Sequence, residues 1–342
     1  MDYQDKAFAV CALLFLTVFA ANTWSLANIG KPWGMTDVDN YLVFLQQYAA
    51  GQHVDDHYLT VALMHALGNY WFTPIVFGIL FPWSVWFFLR HFLGEDNKAF
   101  IAFLLFIFGC MDWTFYWFSG LYAQTLACTC FCLSLGYLLR GWRYDLIPTF
   151  GFAVLACVFH SLIFAVYMIL IMCVLVLDNM NIRALILGVL VYRVFLWGKF
   201  VYLLTPFNEH MLPEPSPYMM LFLYTFPLLW LLAYVNLGKL NNMSFFFVTL
   251  SVSMPFITYG RGMFFAHIFL VAYATKTLYE WKISNRFLLA AFIVLLAFWY
   301  QNYYAYISQA MAVEATYREI SLETLSHIGI KPVMCIDLTK HS

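Results

Sequence analysis

Charge is what this sequence has least of. Of its 342 residues 10% are Asp, Glu, Lys or Arg, and 17 basic side chains against 18 acidic ones leave a net charge of −1. A chain this close to neutral offers no basic field for nucleic acid. Polar interruptions are scarce too: 64% of residues are apolar, 21% are aromatic and mean hydropathy is +0.77, far from soluble averages. Apolar runs recur from residue 7 to residue 307. They are continuous rather than alternating, which argues against a β-barrel and leaves helices as the other way to satisfy a backbone in lipid.

Further absences narrow the class. The N-terminus carries no basic n-region and no small-residue cleavage site, so residues 7–29 are expected to be a retained span rather than a removed signal. A secondary transporter predicts an internal repeat and midplane charges on broken helices; no convincing repeat is visible, and the deep charge is essentially Arg193. The cysteines form no framework. Cys11, Cys110, Cys128, Cys130, Cys132, Cys157 and Cys173 lie in apolar runs. Cys128, Cys130 and Cys132, at i, i+2 and i+4, do not share a helix face and are expected to pack rather than bind metal.

What is present reads as an all-α polytopic transmembrane bundle with about eleven spans. They are expected near 7–29, 71–92, 98–112, 120–139, 146–160, 163–177, 184–204, 218–237, 243–258, 263–279 and 287–306. Residues 1–306 form the bundle and 307–342 a short tail, with one helix expected near Ser321–His327. A cytoplasmic N-terminus gathers Lys6, Arg90, Lys98, Arg140, Arg143, Arg183, Lys239, Lys276, Lys282 and Arg286 on the inner side and leaves Lys31 and Arg261 outside. The loop at 31–70 and the tail are then exoplasmic. Apolar spacing within that loop predicts two helices along the membrane surface, over Asp39–Ala50 and Leu59–Leu67.

This first loop concentrates the ionisable groups: Asp37, Asp39, His53, Asp55, Asp56 and His57. Asp112 lies between the third and fourth spans and His160 between the fifth and sixth, on the same expected side. Asp37, Asp39 and Asp112 suit a divalent cation such as Mg or Mn, or a base with its orienting partner. His53 and His57, at i and i+4, have zinc-ligand spacing, although plain loop polarity explains them as well. Arg261, between Gly260 and Gly262, offers a forked, permanent cation for a phosphate. Lys199 can snorkel outward. Each has a plainer role as a solvated loop group or helix anchor; it is their gathering on one side that points to a site.

In order and kind these features resemble the GT-C superfamily of integral-membrane glycosyltransferases. The resemblance rests on Met35-Thr36-Asp37-Val38-Asp39-Asn40-Tyr41 after the first span, Tyr48-Ala49-Ala50-Gly51-Gln52 beyond it, and Asp112 in the next outer loop. It also rests on Tyr122–Leu126 leading to Arg140, on Phe159-His160-Ser161, and on Tyr259-Gly260-Arg261-Gly262. It implies transfer of a sugar, with inversion, from a polyprenyl-phosphate donor to an exoplasmic saccharide, lipid or protein acceptor. The membrane would be a bacterial or archaeal plasma membrane or the ER. By the same resemblance Asp37, Asp39 and Asp112 are catalytic, Asp37 being favoured as base on the family's spacing. Arg261 and Lys199 hold the donor phosphate, and His160, Asp55 and Asp56 assist the acceptor. The chain lacks a Trp-Trp-Asp motif and a large soluble domain, which disfavours protein N-glycosylation. A lipid-linked saccharide polymerase and a non-catalytic subunit of a membrane complex are the alternatives.

Overall fold

The structure is a computed structural model that describes residues 2–34, 36–52, 54, 57–110, 112–142, 144–160, 162–177, 225, 227–238, 241–258, 263–282, 294 and 297. The span expected at 184–204, that at 287–306 apart from residues 294 and 297, the tail, and Arg143, Arg183, Arg193, Lys239 and Arg286 lie outside the described residues.

Helices account for nearly all of the described chain, in the order α1 Tyr3–Ile29, α2 Thr36–Ala49, α3 Tyr58–Pro74, a π-helical stretch Ile75–Leu80, α4 Phe81–Leu93, α5 Asp96–Gly109, α6 Asp112–Ser119, α7 Tyr122–Arg140, α8 Leu146–Phe159, α9 Leu162–Leu177, α10 Pro227–Val235, α11 Asn242–Thr258 and α12 Phe264–Glu280. Within the described residues three stretches are long and apolar enough to cross a membrane: Tyr3–Ile29, Tyr58–Leu93 and Tyr122–Arg140. Among the described residues the one departure from helix pairing is a single antiparallel bridge between Cys110 and Thr225.

Local chemistry sets the helix limits. Asp2 caps α1 reciprocally with Asp5: the Asp5 amide donates to Asp2 Oδ1 at 2.9 Å, and the Asp2 amide to Asp5 Oδ2 at 3.2 Å. Within α3, Gly68 takes φ 72° and ψ 151° and breaks the helix. The piece before it is the expected second loop helix; the piece after it starts the long apolar passage. Pro74 closes α3, since its missing amide cannot continue the ladder, and the π-helical stretch takes up the mismatch. The indole Nε1 of Trp113 donates to the Phe77 carbonyl there at 2.8 Å.

At one end of the bundle the basic residues collect. Arg90 Nε donates to Asp96 Oδ1 at 2.8 Å and Arg90 Nη1 to Gln4 Oε1 at 3.1 Å. Lys98 lies 5.4 Å over the Tyr279 ring, and Lys276 lies 4.8 Å over that of Phe92. Arg140 binds Asp145 through Nε at 2.9 Å. Together with Trp142 N–H, that guanidinium holds the Asp145 carboxyl below the usual carboxylate range. Lys31 lies at the opposite end, beside α2.

α12 is the packing axis. Its residues from Phe264 to Ala274 are almost wholly buried, and rings from Phe81, Phe88, Phe92, Phe106, Phe131 and Phe247 close on it. An all-round buried helix of this kind is expected when neighbours cover every face.

Candidate functional site

α2 carries the site, and two glycines fix where it lies. Val38 is fully buried. A Cβ on Gly120 would lie 2.5 Å from Val38 Cγ2 and 2.9 Å from its backbone nitrogen; one on Gly34 would lie 2.3 Å from the same methyl. Only glycine admits that approach at Gly120, whose φ of 71° also excludes most side chains. A second anchor lies one turn on, where the Ala123 amide donates to the Tyr41 hydroxyl at 3.1 Å. The Tyr41 ring rests on Tyr122, centroids 5.1 Å apart. Burial pushes the Tyr41 phenol well above its ordinary pKa; the nearby Asp37 carboxylate adds to the shift and the Ala123 amide opposes it.

With α2 locked in this way, Asp37, Asn40, Tyr41 and Phe44 fall at i, i+3, i+4 and i+7 on one face. They wall a cavity of about 200 Å³, completed by His57, Leu121, Gln124 and His160. His57 precedes α3 with φ 58° and ψ 24°. A non-glycine residue held there carries strain of about 1–3 kcal/mol, a feature that clusters at functional sites. His160 breaks the chain between α8 and α9 in an extended conformation. The two imidazoles stack at 6.2 Å, 19° from parallel, and Tyr41 lies 5.6 Å from His57. Gln124 Nε2 donates to the Tyr116 hydroxyl at 3.0 Å, so the cavity wall is tied to α6. A carboxylate and two imidazoles around one hollow can accept and donate hydrogen bonds to hydroxyl groups.

The other expected carboxylates lie elsewhere. Both Asp39 oxygens accept from Lys31 Nζ at 2.8 Å. Asp112 heads α6 and is buried, its Oδ2 2.7 Å from Nδ1 of His267 on the first turn of α12. With the proton on Nδ1, the carboxylate accepts it and fixes the ring. Among the described residues His267 Nε2 has no hydrogen-bond partner. The Trp230 ring stands edge-on to His267 at 5.9 Å, and its Nε1 donates to Thr225 Oγ1 at 2.7 Å. Since Thr225 also pairs with Cys110, this polar knot ties the α5–α6 junction, the approach to α10 and the start of α12.

Of the residues expected to form the site, Asp37 and His160 are therefore brought together, while Asp39 and Asp112 are not part of that cavity's wall. Lys199, Arg261, His53, Asp55 and Asp56 lie outside the described residues. Of the three carboxylates expected to hold a cation, Asp39 is engaged by Lys31 and Asp112 by His267. The ligand-type side chains that do converge among the described residues are Cys110, Asp112 and His267, within 4.8 Å of one another. Tyr41, Gln124 and His267 are additions that sequence reasoning did not single out. His267 carried a usable signal, as a histidine inside the apolar run Phe264–Ala274. Comparison of the chain with protein-family models, curated proteins and solved structures gave no match.

Proposed function

We propose that the protein is a multi-pass membrane glycosyltransferase of the GT-C type, moving a sugar from a polyprenyl-phosphate donor to an exoplasmic acceptor with inversion. The observation that carries the reading is the position of Asp37. It stands on a helix that follows the first long apolar stretch, and it opens into a polar cavity shared with His160. In this reading the acceptor hydroxyl attacks the sugar C1 while Asp37 takes its proton. The bond from C1 to the phosphate oxygen breaks, and its electron pair leaves with the phosphate. Arg261, aided by Lys199, binds that phosphate and meets the developing charge. Asp39, spent on Lys31, and Asp112, spent on His267, support the fold rather than the reaction. About eleven spans, a cytoplasmic N-terminus and a bacterial, archaeal or ER membrane belong to the same proposal.

The test is transfer from a polyprenyl-phosphate sugar by the full chain in nanodiscs. Asp37→Asn is expected to lower turnover by about 10²–10⁴, the usual contribution of a general base. Turnover within tenfold of wild type removes Asp37 from the chemistry. Arg261→Ala is expected to raise the donor KM more than it lowers kcat; an unchanged donor KM removes the phosphate role.

A further inference from the structure

We infer that the outward face of α1 is a lipid-contact surface whose margin toward α2 lies at Trp24, with Tyr70 and Trp71 marking the same level on the neighbouring apolar passage. The occupant of that face is bilayer hydrocarbon rather than a second copy of the chain or another protein. The inference rests on the membrane setting of the proposed function and not on the transfer reaction.

α1 has two unlike faces. Ala7, Cys11, Leu14, Val18, Asn22 and Ser25 recur every three or four residues and are buried. On the other side Phe8, Leu13, Leu16 and Trp24 are each more than half exposed. Between Lys6 and Lys31 the sequence has no Asp, Glu, Lys, Arg or His, although a face turned to water would ordinarily carry such groups. Lys6 Nζ lies 4.3 Å over the Tyr3 ring, so the amine is drawn back toward the start of the helix. From Lys6 to Trp24 the helix rises about 27 Å at 1.5 Å per residue, close to the roughly 30 Å of bilayer hydrocarbon. The exposed Thr17 hydroxyl donates to the Leu13 carbonyl of its own helix at 2.9 Å, which satisfies it without water.

The margin is drawn on two elements independently. Asn22 Nδ2 donates to the Asn69 and Tyr70 carbonyls at 3.2 and 3.1 Å, and the Thr23 hydroxyl donates to that of Tyr70 at 3.1 Å. Tyr70 and Trp71 therefore stand level with Trp24, and all three are exposed. Rings with a polar handle collect where hydrocarbon meets headgroups. Further along the same passage the exposed large side chains are aliphatic, Ile79 and Leu80. At the opposite, basic end, Trp142 and Tyr144 are more exposed still, with the Arg140 guanidinium 4.2 Å over the Trp142 ring. Helices that pair within lipid approach through small side chains, and Phe8, Leu13 and Leu16 hold a second backbone away. The Trp33 amide donates to Asn22 Oδ1 at 3.3 Å, so the segment leading into α2 starts from the same level.

The experiment is nitroxide labelling of Leu13→Cys, Leu16→Cys, Trp24→Cys and Trp71→Cys, one at a time, in the full chain in phosphatidylcholine nanodiscs. The described cysteines are buried or half-buried, and the unmodified chain carried through the same labelling supplies the background. Each label is read by its collisions with oxygen, which enters hydrocarbon, and with a nickel chelate, which stays in water; lipids labelled at known depths calibrate the ratio. At 13 and 16 the ratio of oxygen to chelate collisions is expected to be at least about tenfold higher than at 24 and 71, because the bilayer core holds no water. The labels at 24 and 71 are expected at one depth, that of a headgroup label. The inference is overturned if the labels at 13 and 16 are shielded from both reagents, which would mean that another chain covers the face. It is overturned too if those labels meet the chelate freely, or if 24 and 71 lie as deep as 16 or at different depths. Sugar transfer assayed on the same preparations is a separate readout: transfer with a shielded α1 would sink this inference and spare the reaction, and a lipid-facing α1 without transfer would do the reverse.

Discussion

Asp112 and His267 meet at 2.7 Å with almost no exposure, whereas Asp37, His57 and His160 stand around an opening. The two sets draw on the same side-chain types and occupy the same end of the bundle. In the first, each group is the other's partner, and the helices carrying them start 152 positions apart, at Asp112 and Phe264. In the second, three elements deliver their groups to a space large enough for a ligand. A buried carboxylate with a matched imidazole is a fastening. Under the proposed function the carboxylate beside the hollow, next to a strained histidine, takes part in the reaction. What separates Asp37 from Asp112 in the structure is position: Asp37 lines the cavity and Asp112 lies buried against His267.

The contrast breaks most visibly at the fastening. Asp112→Ala or His267→Ala strands a buried partner and is expected to cost about 3–5 kcal/mol, read by denaturant or thermal unfolding in detergent. Asp112→Asn, which keeps an oxygen for Nδ1–H, is expected to cost distinctly less. Equal losses for the Ala and Asn variants would mean that the charge itself is what matters. Next comes the seat of α2: Gly120→Ala forces a methyl against Val38 at positive φ and is expected to cost about 1–3 kcal/mol. Val38→Ala in the same chain should relieve only the contact with the methyl, because the backbone nitrogen of Val38 also lies 2.9 Å from the added atom.

Smaller effects sharpen the comparison. Asp39 keeps nearly half its side-chain surface exposed, so Asp39→Asn is expected to cost no more than about 1 kcal/mol, because solvent screens such pairs. At the other end, the Asp145 carboxyl is depressed by its bond to Arg140. A depressed folded-state pKa gives stability that is present above the unfolded value of about 4 and lost as pH falls through the folded value. The melting-temperature gap between wild type and Asp145→Asn should accordingly narrow on acidification from neutral pH to below about 3. A gap that widened instead would put the carboxyl in another environment.

Much of this architecture was legible where its causes are local. The helix expected at Asp39–Ala50 is α2, Thr36–Ala49, within three residues at each end. Gly68 ends the second loop helix just past the expected Leu67, and the break at His160 falls where the apolar run is interrupted. α6 was not legible, because Trp113-Thr114-Phe115-Tyr116-Trp117 has too little polar spacing to mark a separate helix. Nor was the Asp112–His267 pair: 155 residues separate the partners, and no periodicity encodes a contact at that range. Lys31 beside Asp39 was hidden in another way. Both appeared as loop charges, and only the turn between α1 and α2 makes them neighbours. Asp37 differed from Asp39 in the sequence only by its match to a family's spacing; the structure adds the face of α2 it occupies.

The most direct measurement places the two aspartates side by side. Asp37→Asn and Asp112→Asn, reconstituted in the same nanodiscs at matched amounts of folded protein, are assayed for transfer from a polyprenyl-phosphate sugar. The account predicts a loss of at least about 100-fold for Asp37→Asn and activity within about tenfold of wild type for Asp112→Asn, a shift of no more than roughly 1.4 kcal/mol. The reverse order, with the buried aspartate indispensable and the cavity aspartate dispensable, would contradict it.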